Sequence, residues 1–155
     1  MNRRNRGFSL LELVVVVVII GIIAAIAIPR LSRGSAGASD SALTGDLAVL
    51  RNAIDLFSAE HNGAYPALAT FSNQLTQYCD ANGTDLVTAK DANHPYGPYL
   101  RAVPPLPVGA DKGKTSVVAI YTAGNGWVYD ATAGKINANC SDLEVDATGK
   151  KYSSY

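Results

Sequence analysis

The stretch RGFSLLELVVVVVIIGIIAAIAIPR, from Arg6 to Arg30, limits what this chain can fold into more than any other. The 21 residues from Phe8 to Ile28 are apolar almost without break, and Glu12 is the one charge among them. At 1.5 Å per residue such a helix is about 31 Å long, the thickness of a bilayer's hydrocarbon. Five valines in succession, Val14 to Val18, suit an aqueous helix poorly. They suit lipid, where every backbone group must bond within its own segment. A chain of 155 residues has little core in which to hide a helix that is apolar all round. The pattern therefore predicts a membrane helix.

The charges around it are unevenly placed. The formal net charge is zero, but Arg3, Arg4 and Arg6 precede the apolar run. Without them ten basic residues face thirteen acidic ones. The remaining cations are scattered, with no basic stripe of the kind nucleic-acid binding uses. Two membrane readings fit. A secretory signal would be cut at Ala25-Ile26-Ala27, but the run is longer than a signal's apolar core and Pro29 follows at once. The other reading keeps the helix and removes only Met1 to Gly7.

These residues resemble the prepilin signature of the type IV filament superfamily, which comprises type IV pilins and the pseudopilins of type II secretion. The resemblance covers about 30 residues. It implies a prepilin peptidase that cuts on the cytoplasmic side between Gly7 and Phe8 and then N-methylates Phe8. It makes Glu12 the assembly acid and Pro29 the residue that kinks the helix near the outer membrane boundary. It also explains an acid in the hydrocarbon. A carboxylate there costs about 2.5–3.5 kcal/mol at the helix centre, so it needs a partner. Cleavage creates one, the ammonium of Phe8, on the same chain at i, i+4 or on a neighbouring subunit. Pairing with a neighbour would set register, as a buried polar residue does in a coiled coil.

Beyond Pro29, Gly34 and Gly37 predict a weakly helical stretch. Leu43, Leu47, Leu50, Ile54 and Phe57 then recur at i, i+4, i+7, i+11 and i+14, an amphipathic stripe, and Asn62-Gly63 is a stop. One long, interrupted helix to about His61 is expected. The organisation is a cleaved leader (1–7), a transmembrane and assembly half of a spine helix (8–28), its amphipathic half (29–62) and a globular head (63–155). AEHNGAYP resembles the segment after the spine in the major, G-type pseudopilin. In the head, Phe71, Leu75 and Tyr78 predict a short helix bearing Cys79. The five-proline stretch from His94 to Gly109 predicts a loop or extended cover. SVVAIYT, WVYD and KINANC predict a three-stranded antiparallel meander. The fold class is α+β, a long N-terminal helix packed on a small antiparallel sheet.

Cys79 and Cys140 make an even count. An exported head meets an oxidising compartment, where a bridge between them is expected. Closing that 62-residue loop would stabilise by about 4 kcal/mol; two buried thiols are the other option. His61 and His94 read as surface loop residues. No Walker loop, G-x-S-x-G or H-E-x-x-H occurs, so no enzyme is expected. Asp142, Glu144 and Asp146 raise the question of calcium, which G-type pseudopilins hold in a C-terminal loop. The Gly/Asp pattern of that loop is missing, and no metal or cofactor is assigned. The resemblance implies a structural subunit of a homo-oligomeric filament, held in the bacterial inner membrane with its head outside the cytoplasm. Its partners would be the prepilin peptidase, an assembly platform and that platform's ATPase, with no nucleic acid. A pseudopilin of type II secretion is the leading reading. A type IV pilus pilin and a membrane-anchored binding domain with a borrowed leader are the alternatives.

Overall fold

A computed structural model describes residues 9–155, leaving aside the side chains of 28–33. The chain divides into two compact units, Met1–Gly37 and Ala38–Tyr155. Helix α1 runs from Leu10 to Glu60. It runs without a break through Gly34 and Gly37, where an interruption was expected, and its backbone stays helical at Pro29. Helix nucleation is costly and propagation is cheap, so isolated poor formers within a long helix do not end it. The helix stops where Asn62 takes a positive φ of 54° and Gly63 one of 83°. There Gly63 N–H donates to Ser58 O at 2.8 Å, the left-handed cap that closes many helices.

In the first unit the apolar side chains from Leu10 to Ile26 are exposed. A core helix of a soluble protein would bury them. In the second, the leucine stripe is buried as its spacing requires: Leu43, Leu47, Leu50, Ile54 and Phe57 are each at most 1 % exposed. It meets Phe71 and Leu75 of helix α2 (Phe71–Thr76) and Trp127, Tyr129 and Ile136 of the sheet. Each such side chain contributes roughly 1.5–3 kcal/mol on leaving water.

Two small sheets complete the unit. Strands β1 (Tyr78–Cys79) and β2 (Leu86–Val87) pair antiparallel, Cys79 opposite Leu86. Helix α2 ends at Thr76, so Cys79 lies on a strand and not on the helix expected for it. Strands β3 (Val117–Val118), β4 (Trp127–Asp130) and β5 (Lys135–Ala138) form the second sheet in that order. β4 and β5 make the expected hairpin, with Trp127 opposite Ala138 and Tyr129 opposite Ile136. Its turn is closed by Asp130 Oδ1, which accepts from Thr132 N at 2.8 Å, a side chain standing in for a backbone turn. β3 pairs with β4 in parallel, not antiparallel as the meander predicted. The reason lies in residues 119–126, which form a wide loop pinned by Asn139. Its Nδ2 donates to Thr122 O at 2.9 Å and Asn125 O at 2.8 Å, and its Oδ1 accepts from Thr122 N at 3.1 Å. A loop held open in this way does not fold back as a tight hairpin.

The proline-rich stretch is an extended cover without strands. It buries Leu100, Val103, Leu106 and Val108. Pro104 O accepts from Trp127 Nε1 at 2.9 Å, and in a neighbouring stretch Pro66 O accepts from Tyr129 Oη at 3.0 Å. Two large aromatics are thereby buried with their polar atoms satisfied.

Candidate functional site

The start of α1 is built from two side chains. Ser9 Oγ accepts from Leu11 N at 3.3 Å, and Glu12 Oε2 accepts from Ser9 N at 3.1 Å. This is the reciprocal capping box, which satisfies two of the N–H groups that a helix leaves without partners. The acid thus has a partner within its own chain, and the partner is the N–H of Ser9. Ser9 was not singled out by sequence; its signal, Ser-x-x-Glu before an apolar run, was present. Gly7 and Phe8 lie outside the described residues. Pro29 belongs to the 28–33 stretch, and its backbone is helical.

Leu10–Ala27 is the one described helix long and apolar enough to cross a membrane, with a mean hydropathy of 3.1 and no part buried. Its single acid sits in the first turn, where the helix dipole favours negative charge.

The two cysteines occupy separate places, and both are free and buried. Cys79 lies at the Glu60 end of α1, with its Sγ 3.3 Å from His61 Nε2. Cys140 is beside Glu144 and Gly109, in the segment whose Tyr152 donates to Asp40 Oδ1 at 2.8 Å. Asp40 and His61 are about 30 Å apart along the helix axis, and a disulfide needs Cα atoms within roughly 7 Å. The expected Cys79–Cys140 bridge is therefore not formed.

His61 and His94 are 2 % and 6 % exposed, not surface residues. His61 stacks on Phe57 with ring centroids 4.1 Å apart, and its Nδ1 lies 2.9 Å from Phe57 O. A thiol beside an imidazole can be a nucleophile and its base, but Cys79 is wholly buried and burial pushes its thiol up. This pair is packed, not presented. Burial likewise pushes the Cys140 thiol up to about 12, with Glu144 and Asp111 adding to it. Cys140 lines a depression of about 430 Å³ with Tyr121, Val128, Ser141 and Asp142, whose carboxylate is engaged by Lys151 at 2.7 Å.

The acidic residues near the C-terminus serve the backbone. Glu144 accepts from Ala110 N and Ser141 N at 2.6 and 2.7 Å. Asp146 accepts from Thr148 N and Lys150 N at 2.7 and 2.9 Å and from Tyr155 Oη. Carboxylates spent in this way do not converge on an ion, and no group of three metal-ligating side chains occurs among the described residues.

An exposed apolar helix near the amino terminus, capped by an acid and preceded in sequence by Arg3, Arg4 and Arg6, has the make-up of a membrane anchor. Comparison with protein families places it further. Residues 2–28 match the prokaryotic N-terminal methylation motif, the prepilin-type signature of type IV filament subunits. That motif is the signature of a prepilin-peptidase substrate, and the chain that carries it has a long N-terminal helix followed by small sheets, an α+β arrangement consistent with a pilin-like fold. No curated protein and no solved structure matches the chain.

Proposed function

We propose that this protein is a filament subunit of the pseudopilin kind, serving type II protein secretion. The observation that carries the reading is one helix, Leu10–Glu60, that joins a methylation-motif segment to the buried stripe of an α+β unit. Prepilin peptidase removes residues 1–7 and methylates Phe8. The 8–28 segment holds the subunit in the inner membrane, and Pro29 loosens the helix at the outer boundary. The head, 63–155, lies outside the cytoplasm, since the basic leader is retained inside. An assembly platform with its ATPase then draws subunits into a homo-oligomer.

Glu12 sets register in this scheme. Its carboxylate leaves the Ser9 N–H for the stronger, charge-assisted bond to an incoming subunit's ammonium. Two measurements on native membranes test the proposal. Intact mass should show a chain beginning at methylated Phe8, and a chain beginning at Ile28 would establish a secretory signal instead. Glu12→Leu should be inserted and cut normally, because a costly acid is gone and the leader is intact. Filament formation and secretion should both fail, and normal assembly of that variant would remove the role given to Glu12. Loss of surface pili without loss of secretion would identify a type IV pilus subunit.

A further inference from the structure

Strand β1 is flanked on both sides. Cys79 pairs with Leu86 of β2 on one edge and with Tyr96 on the other, Cys79 N donating to Tyr96 O at 3.1 Å. A buried imidazole ties the chain ahead of Tyr96 to the residue before Leu86. His94, two positions before Tyr96, places Nδ1 2.7 Å from Asp91 Oδ1 and Nε2 3.1 Å from Asp85 Oδ2. Asp85 directly precedes Leu86. The path Cys79–Leu86–Asp85–His94–Tyr96, part chain and part contact, therefore closes on the backbone of Cys79. Within the same segment Gly83 lies over the Phe57 and His61 rings, and Tyr96 is 5.3 Å from His61 between centroids. The segment roofs the His61–Cys79 pair.

The imidazole can hold both carboxylates in only one state. A neutral ring has one N–H and one lone pair, and the lone pair would face an acceptor oxygen. The doubly protonated ring serves both. Nε2 is sealed from solvent and lies off the line of a hydrogen bond to Asp85, so that side is held by charge alone. The charges facing His94 are those of Asp91 and Asp85. Asp80, at the end of β1, is turned into its own turn, where it accepts from Thr84 N and Asp85 N. Lys90 is exposed.

We propose that protonated His94 is a pH-sensitive latch that holds the 80–96 segment shut over Cys79. The hydrogen bond that His94 donates to Asp91, then the contact with the Asp85 carboxylate, raise the histidine above its ordinary range. The direction of the linkage follows. A raised folded value means the latch is fully formed below the unfolded pKa, about 6.5, and is lost as pH rises through the higher folded value. Acid closes the roof and alkali opens it.

The test uses the full chain in detergent, with free N-acetylcysteine as the reference for thiol chemistry. A small maleimide is added, and the rate at Cys79 is divided by the rate of that free thiol at the same pH. At pH 6 the wild-type ratio should be low, and it should rise through a titration above about pH 6.5. His94→Leu should raise the pH 6 ratio about tenfold or more, because charge-assisted contacts on both sides are gone. Asp85→Asn keeps the ring and lies on an exposed side chain, so it covers the case in which His94→Leu misfolds. It should move the rise to lower pH, and ring NMR should show His94 titrating lower than in wild type. A pH-independent ratio that neither variant changes would overturn the latch, as would a His94 that titrates at or below about 6.5 in the wild type.

Discussion

Gly83→Ala is the sharpest probe of how tightly the roof is fitted. Gly83 has a φ of +70°, and a Cβ there would lie 2.6 Å from Phe57 Cζ and 2.7 Å from His61 Cδ2. The left-handed backbone alone costs an alanine about 1–2 kcal/mol. The two rings are stacked and buried, so they cannot retreat the needed distance cheaply, and overpacking adds about 1–3 kcal/mol. The sum is about 2–5 kcal/mol. A unit of roughly 120 residues has about 6–18 kcal/mol in hand, so the variant should fold. At about 2.1 cal/mol/K per residue, each kcal/mol lowers Tm by about 4 °C. A fall of about 8–20 °C is expected. Near-UV circular dichroism of the full chain in detergent reads it through the buried Trp127. The steric part is separable from the backbone part. Phe57→Leu removes the atom that the new Cβ meets, so Gly83→Ala with Phe57→Leu should cost less than the two changes added, by about 1 kcal/mol or more. A Tm within about 2 °C of wild type, or strict additivity, would refute the contact argument.

Asn139→Ala should release the 119–126 loop and cost about 2–4 kcal/mol, since a buried cluster of backbone groups loses its partner; hydrogen exchange at residues 119–126 should speed up before the rest of the unit. The Asp146 carboxylate is held below the usual range first by the Tyr155 hydroxyl and then by that of Thr148. Its contribution is therefore present above about pH 3.9 and lost as pH falls below that. The protection of the Lys150 amide, taken relative to its intrinsic exchange rate at each pH, should fall with acid in wild type and lose that dependence in Asp146→Asn. Thiol titration under denaturing, non-reducing conditions should find both Cys79 and Cys140 reactive, and a count of zero would refute their separation.

What sequence could show followed from periodicity. The stripe from Leu43 to Phe57 repeats over several turns, and every member is buried. The β4–β5 hairpin was legible for the same reason, because Trp127 and Tyr129 alternate with less buried neighbours. β1, β2 and β3 are two residues each, too short to carry a period, and their pairing is decided by distant side chains such as Asn139. The buried histidines were missed because what satisfies them is not written in local spacing. His61 rests on a cysteine from another element, and His94 rests on carboxylates that also read as loop decoration. The cysteine count said nothing of distance. At the amino terminus the reverse held, for Ser9 and Glu12 stood in the spacing of a capping box and were passed over for the larger question of the acid's charge.

The C-terminal tail has a mechanical consequence. Tyr152 fastens it to Asp40 of α1, while Arg51 of the same helix donates to Ile136 O at 3.2 Å and to Tyr155 O. Asp40 and Arg51 are about 16 Å apart along the axis. Tension drawn along the helix therefore loads both fasteners together, in shear, and they must rupture as a set. A tail attached at one end would peel, one bond after another, at a much smaller force. Substituting Arg51 alone would turn the riveted joint into a hinged one, leaving the fold at rest unaltered and exposing the defect only under pull.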